Sequence, residues 1–286
     1  MNLVVVTKGR ITDAHLEKYG LKILFQKGNK CAIQAQDLKL FIEFLLKEDL
    51  IDEILHKDKY VPKEEFIQRY IDNLMELQGE MDVKYQKVFS PEGEVIGAEF
   101  FCAFPLHPFL LVKALKETCF ADLKCLRSIV SKVRKKGWDK LIFFNMFPRS
   151  SEKSDFVMSV VATISASGLS DKLVLEVLEY KLEEDKVKKN ISFARRQGLK
   201  VAVDDWGSEN AGIFRVVNLQ PDFVKIDKSI TWSAEAREII EPIVPKFQER
   251  GIKVIVEGIE NEEHYNWAKN LGAYMQGFYL HKPEFF

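Results

Sequence analysis

Gly198-Leu199-Lys200-Val201-Ala202-Val203-Asp204-Asp205-Trp206-Gly207 is the stretch from which the rest of the chain is read. A glycine suited to ending a helix is followed by a short β-branched run, and acidic side chains stand at the end of that run. The order recurs outward in both directions. Gly137 precedes Leu141-Ile142-Phe143-Phe144 and Asn145, and Gly168 precedes Leu173-Val174-Leu175 and Glu176. Downstream, Phe223-Val224 leads to Lys225 and Asp227, Gly251 precedes Val254-Ile255-Val256 and Glu257, and Gly272 precedes Tyr274-Met275 and Gln276. Continuous apolar runs predict parallel strands covered on both faces, and stretches between them, such as Val187, Ile191 and Ala194, carry helical spacing. Pro242 and Pro245 interrupt one helical stretch and should kink or shorten it.

Upstream, residues 83–89 and 95–104 flank the turn Ser90-Pro91-Glu92-Gly93 and read as a hairpin entering the same sheet. A long helix over about 108–136 links this hairpin to the first glycine–strand unit. About eight strands in βα alternation predict an α/β fold, a TIM-type (β/α)8 barrel over 82–286 whose first strand pair is a hairpin. An open, doubly wound sheet is the alternative. Residues 1–80 read as a small α+β domain, with strands over 3–6, 21–25 and 30–35 and helices over 38–55 and 64–77.

Composition narrows the function classes. The chain has 286 residues, 47% of them hydrophobic, enough for one large and one small core. Its formal charge of −1 gives no global pull toward a DNA or RNA polymer or an anionic membrane, so a phosphate ligand must be held locally. No apolar run approaches the ~18 residues of a membrane span, and the expected location is cytoplasmic. Cys31, Cys102, Cys119 and Cys125 form no CxxC pair and are expected to be free thiols in a reducing compartment.

In a parallel α/β protein the C-terminal strand ends converge on one rim, where ligands bind. Here those ends carry Asn145, Glu176, Asp204, Asp205, Lys225, Asp227, Glu257 and Gln276, and Glu99 lies in the second hairpin strand. A single polar strand end is as well explained by a helix cap. So many carboxylates on one rim would repel one another unless cations neutralised them. Carboxylate and amide oxygens without histidine or thiolate suit hard Mg²⁺ or Mn²⁺. The Asp204-Asp205 pair can place a carboxylate on each of two ions, the arrangement used for in-line displacement at phosphorus. Lys225 among these anions can orient water or offset phosphate charge, or can simply form a salt bridge.

Tyr85-Gln86, Val95-Ile96-Gly97-Ala98-Glu99, Asn145, Leu175-Glu176-Val177-Leu178-Glu179, Asp204-Asp205-Trp206-Gly207, Lys225-Ile226-Asp227, Glu257-Gly258-Ile259-Glu260 and Gln276-Gly277 together resemble the ordered motifs of the EAL family. That resemblance implies a TIM barrel that hydrolyses cyclic diguanylate (cyclic di-GMP) to the linear dinucleotide with two Mg²⁺ or Mn²⁺ ions. Carried over by position, it implies Glu99, Asn145, Glu176 and Asp204 as ligands of one metal, and Asp204 with Asp205 at the second. Glu257 is implied as second-metal ligand or base and Lys225 as the group that positions water. Gln86 and Gln276 are implied on the substrate side and Glu179 as a prop for the loop after Asp205, with Asp227 and Glu260 in support. A homodimer through the barrel is left open.

The departures from the family pattern are specific. The signature reads Glu99-Phe100-Phe101, and Ala103 stands where the family usually has an arginine to substrate phosphate. Glu209 replaces the usual second glycine in the loop after the paired aspartates, and the connection from Glu99 to Asn145 is short. These changes favour a second reading, a weak or silent barrel that binds the dinucleotide as a receptor or binds another protein. The chemistry alone also admits a metal-assisted lyase or isomerase with Lys225 as base, which the paired aspartates argue against.

Overall fold

The computed structural model describes residues 1–77, 79–104, 118–177, 183–208 and 213–286. They form two compact units, one built on residues 1–79 and the other on 80–103 and 119–286.

The first unit is an antiparallel sheet of β1 (Asn2–Thr7), β2 (Leu21–Lys27), β3 (Lys30–Ala35), β4 (Ile51–His56) and β5 (Lys59–Pro62), in the order β2-β3-β1-β4-β5. Its helices are α1 (Asp13–Leu16), α2 (Leu38–Lys47) and α3 (Lys63–Leu77). Cys31, Val5 and Ile54 make one row across β3, β1 and β4, each at most 1% exposed, so one sheet face is the core. The expected helix over 38–55 is corrected here: α2 ends at Lys47, and Ile51–His56 is a strand paired to β1. Ile51, Ile54 and Leu55 fit a helical period as well as an extended one. The turn that decides between them, Lys57-Asp58, adopts the left-handed conformation (φ 47° and 64°) without glycine or asparagine to announce it.

The second unit is a closed barrel. β6 (Val83–Phe89) and β7 (Val95–Cys102) form the antiparallel hairpin. β8 (Leu141–Met146), β9 (Leu173–Val177), β10 (Lys200–Trp206), β11 (Phe223–Ile226), β12 (Lys253–Val256) and β13 (Tyr274–Met275) follow in parallel, and β13 closes on β6. A short β14 (Glu284–Phe285) adds to β6. Around the barrel lie α4 (Cys119–Lys136), α5 (Pro148–Ser151), α6 (Ser154–Ser167), α7 (Glu184–Arg196), α8 (Ile213–Leu219), α9 (Lys228–Thr231), α10 (Ala234–Ile240), α11 (Val244–Gln248) and α12 (Glu262–Asn270). The two prolines act as expected: α10 stops before Pro242, and Pro245 sits in the first turn of α11. Of the long helix expected over 108–136, α4 accounts for 119–136, and 105–117 lie outside the described residues.

Inside the barrel, Val88, Phe143, Val174, Ala202, Phe223 and Ile255 form one buried apolar layer, with Phe143 and Phe223 edge-to-face at 5.2 Å. Burying each large side chain stabilises the barrel by about 1.5–3 kcal/mol. Strand side chains alternate, so the residue two positions further on shares this inward face. Those residues are Asn145, Glu176, Asp204, Lys225 and Glu257. The apolar layer is the floor on which the polar mouth stands.

The expectation of four free thiols is also corrected. Cys102, ending β7, is disulfide-bonded to Cys125 of α4 with Cα atoms 5.7 Å apart. The partners are 23 residues apart, and only the packing of α4 beside β7 brings them together. Cys31 and Cys119 lie outside this bond.

Gly97, two residues before Glu99, marks where β7 and β8 press closest, since an added Cβ would lie 2.7 Å from Leu141 Cβ and O. Gly97→Ala should therefore lower stability by about 1–3 kcal/mol in urea unfolding. An unchanged midpoint would show that the two strands are not held so tightly.

Candidate metal centre at the barrel mouth

Lys225 is 1% exposed, and its ammonium is ringed by carboxylates from four other strand ends. Nζ lies 3.1 Å from Glu99 Oε2, 2.8 Å from Glu176 Oε1, 3.0 Å from Asp204 Oδ1 and 2.9 Å from Glu257 Oε1. Burial alone would lower the lysine's pKa, but these four partners hold it well above the usual lysine range, so it stays charged. One ammonium cannot neutralise the cluster. Burial, then the neighbouring Glu99, push Glu176 well above the carboxylate range, and burial likewise raises Asp204. Asp205 is raised to about 6 by burial and by adjacent Asp204, and Glu257 to about 8 by burial, against the pull of Lys225.

Asp204 and Asp205 share the mouth because β10 is bulged. Val203 pairs with Val224 and Trp206 with Ile226, so β10 uses three residues where β11 uses two. The extra residue, Asp205, takes a left-handed conformation at φ 53°. Without the bulge, successive side chains would point to opposite faces. With it, one oxygen each from Asp204, Asp205 and Glu257 lie within 4.8 Å of one another.

The remaining expected residues gather around Glu99. Asn145 donates through Nδ2 to Glu99 Oε1, and Gln276 Nε2 donates to Glu99 Oε2 at 2.7 Å and to Gln86 Oε1 at 3.2 Å. Gln86 in turn donates to the carbonyl of His281 at 3.0 Å. Gln276, 3% exposed, thus orients Glu99, and Gln86, 8% exposed, holds Gln276 in place by accepting from it. Asp227 caps α9, accepting from Ser229 N at 2.9 Å, and Glu260 is exposed. Ala103 is half-buried. Glu179 and the loop residues 209–212 lie outside the described residues. Asp122, which sequence reasoning passed over, is buried on α4 and accepts from Phe147 N just beyond Asn145.

The donor set fits hard divalent cations. Asn145 Oδ1 and Glu176 Oε2 are buried and have no hydrogen-bond partner among the described residues, which is costly unless an ion takes the lone pairs. Oxygen donors only, with excess negative charge, are what Mg²⁺ or Mn²⁺ requires.

The model of the EAL domain matches residues 70–283. The chain belongs to the EAL domain family. Similar members include the uncharacterised EAL-domain protein YkuI of Bacillus subtilis, 27% identical over 219 residues, which are 70% of this chain and 54% of that protein. The probable cyclic di-GMP phosphodiesterase PdeI of Escherichia coli is 24% identical over 278 residues, 89% of this chain and 34% of the relative. The chain therefore spans about a third to a half of the length of these two EAL proteins. Among solved EAL structures, the manganese and cyclic di-GMP complex of Klebsiella pneumoniae BlrP1 superposes with a TM-score of 0.65 at 18% identity, covering 99% of this chain and 96% of that one. No helix among the described residues is long and apolar enough to cross a membrane.

The raised carboxyls of this EAL mouth set the sign of its pH dependence. A group whose folded pKa exceeds its unfolded value binds its proton more tightly when folded, so the stability it confers is complete at low pH and is lost as pH rises through the folded pKa. For Glu257 that window runs from its ordinary 4.5 to about 8. In EDTA, Glu257→Gln should melt with wild type near pH 4.5 and increasingly above it toward pH 8. A pH-independent difference between the two melting curves would contradict the assignment.

Proposed function

We propose that this chain hydrolyses cyclic diguanylate to the linear dinucleotide at the barrel mouth, using two Mg²⁺ or Mn²⁺ ions. The observation that carries the reading is the four carboxylates around a single buried ammonium, with Asp205 beside two of them and the buried Asn145 Oδ1 and Glu176 Oε2 without a hydrogen-bond partner among the described residues. Glu99, Asn145, Glu176 and Asp204 would hold one ion, and Asp204, Asp205 and Glu257 the other. Bound there, the ions supply charge stabilisation to a phosphodiester undergoing in-line displacement. The protein's own groups do the rest. Lys225, whose N–H bonds go to carboxylates in this structure, would turn one of them to water or a phosphate oxygen once ions share those carboxylates. Glu257 would act at the second ion, as its ligand or as the base that takes the released proton. Gln276, held by Gln86, keeps Glu99 turned inward, the two glutamines would stand next to the bound nucleotide, and Glu179 would support the loop after Asp205. We further propose that residues 82–286 are the catalytic domain and 1–80 a separate domain.

Cyclic di-GMP is named as bound or cleaved in the relatives and neighbours with this fold, which supports the choice of substrate. Ala103 supports a receptor as the second reading, because the missing arginine removes a charge-assisted contact worth about 1.5–3 kcal/mol, or about ten- to hundredfold in affinity. Incubation with cyclic diguanylate and Mn²⁺ separates the two: linear dinucleotide marks the enzyme, and binding without turnover marks the receptor. Binding of neither kind, also with Ca²⁺ in place of Mn²⁺, would end the dinucleotide reading.

Asp205→Asn is the sharpest substitution, because asparagine tolerates the left-handed backbone and keeps the side chain's shape while deleting its charge. Turnover should fall at least about a hundredfold, while the metal-free melting temperature stays level or rises. Full activity with a lower melting temperature would make Asp205 structural.

A further inference from the structure

Helix α4 carries Asp122, Cys125 and Ser128 at three-residue spacing on its buried side, and each ties down a different segment of the barrel mouth. Ser128 Oγ accepts from Met81 N at 3.0 Å, just ahead of β6. Cys125 is bonded to Cys102, three residues past Glu99. Asp122 Oδ2 accepts from Phe147 N at 3.1 Å, two residues past Asn145, and its carboxylate also takes a hydrogen bond from the side chain of Ser150, which is fully buried.

We propose that Asp122 is a positioning residue for the metal centre: by fixing the exit of β8 it holds Asn145 so that Oδ1 is presented to the ion. This rests on the reading of Asn145 as a metal ligand given above. Two constraints set that exit. Pro148 confines Phe147 to an extended conformation, observed at φ −59° and ψ 139°. The second is the Asp122 acceptor, without which the Phe147 amide, in a residue 8% exposed, would lose its partner. A ligand displaced by about 1 Å is enough to spoil a metal site.

Stability alone does not call for an acid here. Asp122 is 2% exposed, and burial pushes its carboxyl up to about 8, a cost that the neutral amide of an asparagine, which offers the same acceptor, would not carry. What leucine cannot do is accept the Phe147 N–H. That difference separates a positioning role from a structural one.

The test is Mn²⁺ titration by calorimetry, with thermal melts of the same metal-free samples, for full-length wild type, Asp122→Leu, Asp122→Asn and Ser150→Ala. Asp122→Leu, which removes the acceptor of the buried Phe147 N–H, should melt below wild type and bind Mn²⁺ about 10–100-fold more weakly at temperatures where it is fully folded. Asp122→Asn retains Oδ1 as acceptor and should bind close to wild type. Ser150→Ala, which removes one hydrogen bond and leaves the acid in place, should fall between them and serves as the decisive variant should the leucine protein not fold. Wild-type Mn²⁺ affinity in Asp122→Leu or in Ser150→Ala, or an asparagine variant as weak as the leucine one, overturns the positioning role alone. Wild type taking up no Mn²⁺ at all sinks the metal centre, and this role with it.

Discussion

One ammonium held among four carboxylates is the constraint on which this structure turns. Lys225 reaches Glu99, Glu176, Asp204 and Glu257 from the centre of the barrel, and each contact requires a different strand to end at the right height. Hydrogen-bond register sets those heights. Glu99 pairs with Phe143, so Asn145 stands two residues higher, and Asn145 pairs with Glu176. Glu176 pairs with Ala202, and Asp204 is two residues on. The stagger that closes the barrel thus also steps these polar side chains around its mouth.

The excess charge explains the departures from regular structure nearby. Five carboxylates against one lysine leave a buried negative field that water cannot screen, and the raised pKa values express that cost. The left-handed Asp205 adds backbone strain at the same place. Strained, mutually repelling groups persist only where the surroundings over-determine them. Here the apolar layer below, the Gln86–Gln276–Glu99 chain of hydrogen bonds and the grip of α4 on the exits of β7 and β8 all do so.

Much of this was legible in the sequence because strand geometry is periodic. A polar residue two places beyond a buried Phe143, Val174, Ala202, Phe223 or Ile255 must share its inward face, and the repeated glycine–strand–polar order exposed that relation. What was not legible came from contacts without local period. Cys102 and Cys125 meet only because α4 packs beside β7, Asp122 sits in the first turn of α4 with no motif around it, and Lys57-Asp58 makes a left-handed turn from residues that do not advertise one. The bulge at Asp205 was hidden likewise, since adjacent aspartates look the same whether they face one way or two. Gln86 and Gln276 were singled out by their place in the motifs, but the chain from Gln86 through Gln276 to Glu99 required the register that sets Gln86 opposite Glu99.

The barrel mouth is proposed to hold divalent cations, with Lys225 as a partial counter-ion. Anomalous diffraction at the manganese edge from crystals soaked in Mn²⁺ and cyclic diguanylate tests it most directly. Two peaks are predicted, one among Glu99, Asn145, Glu176 and Asp204 and one among Asp204, Asp205 and Glu257. No anomalous peak at the mouth, with Lys225 still bridging the same four carboxylates, would contradict it.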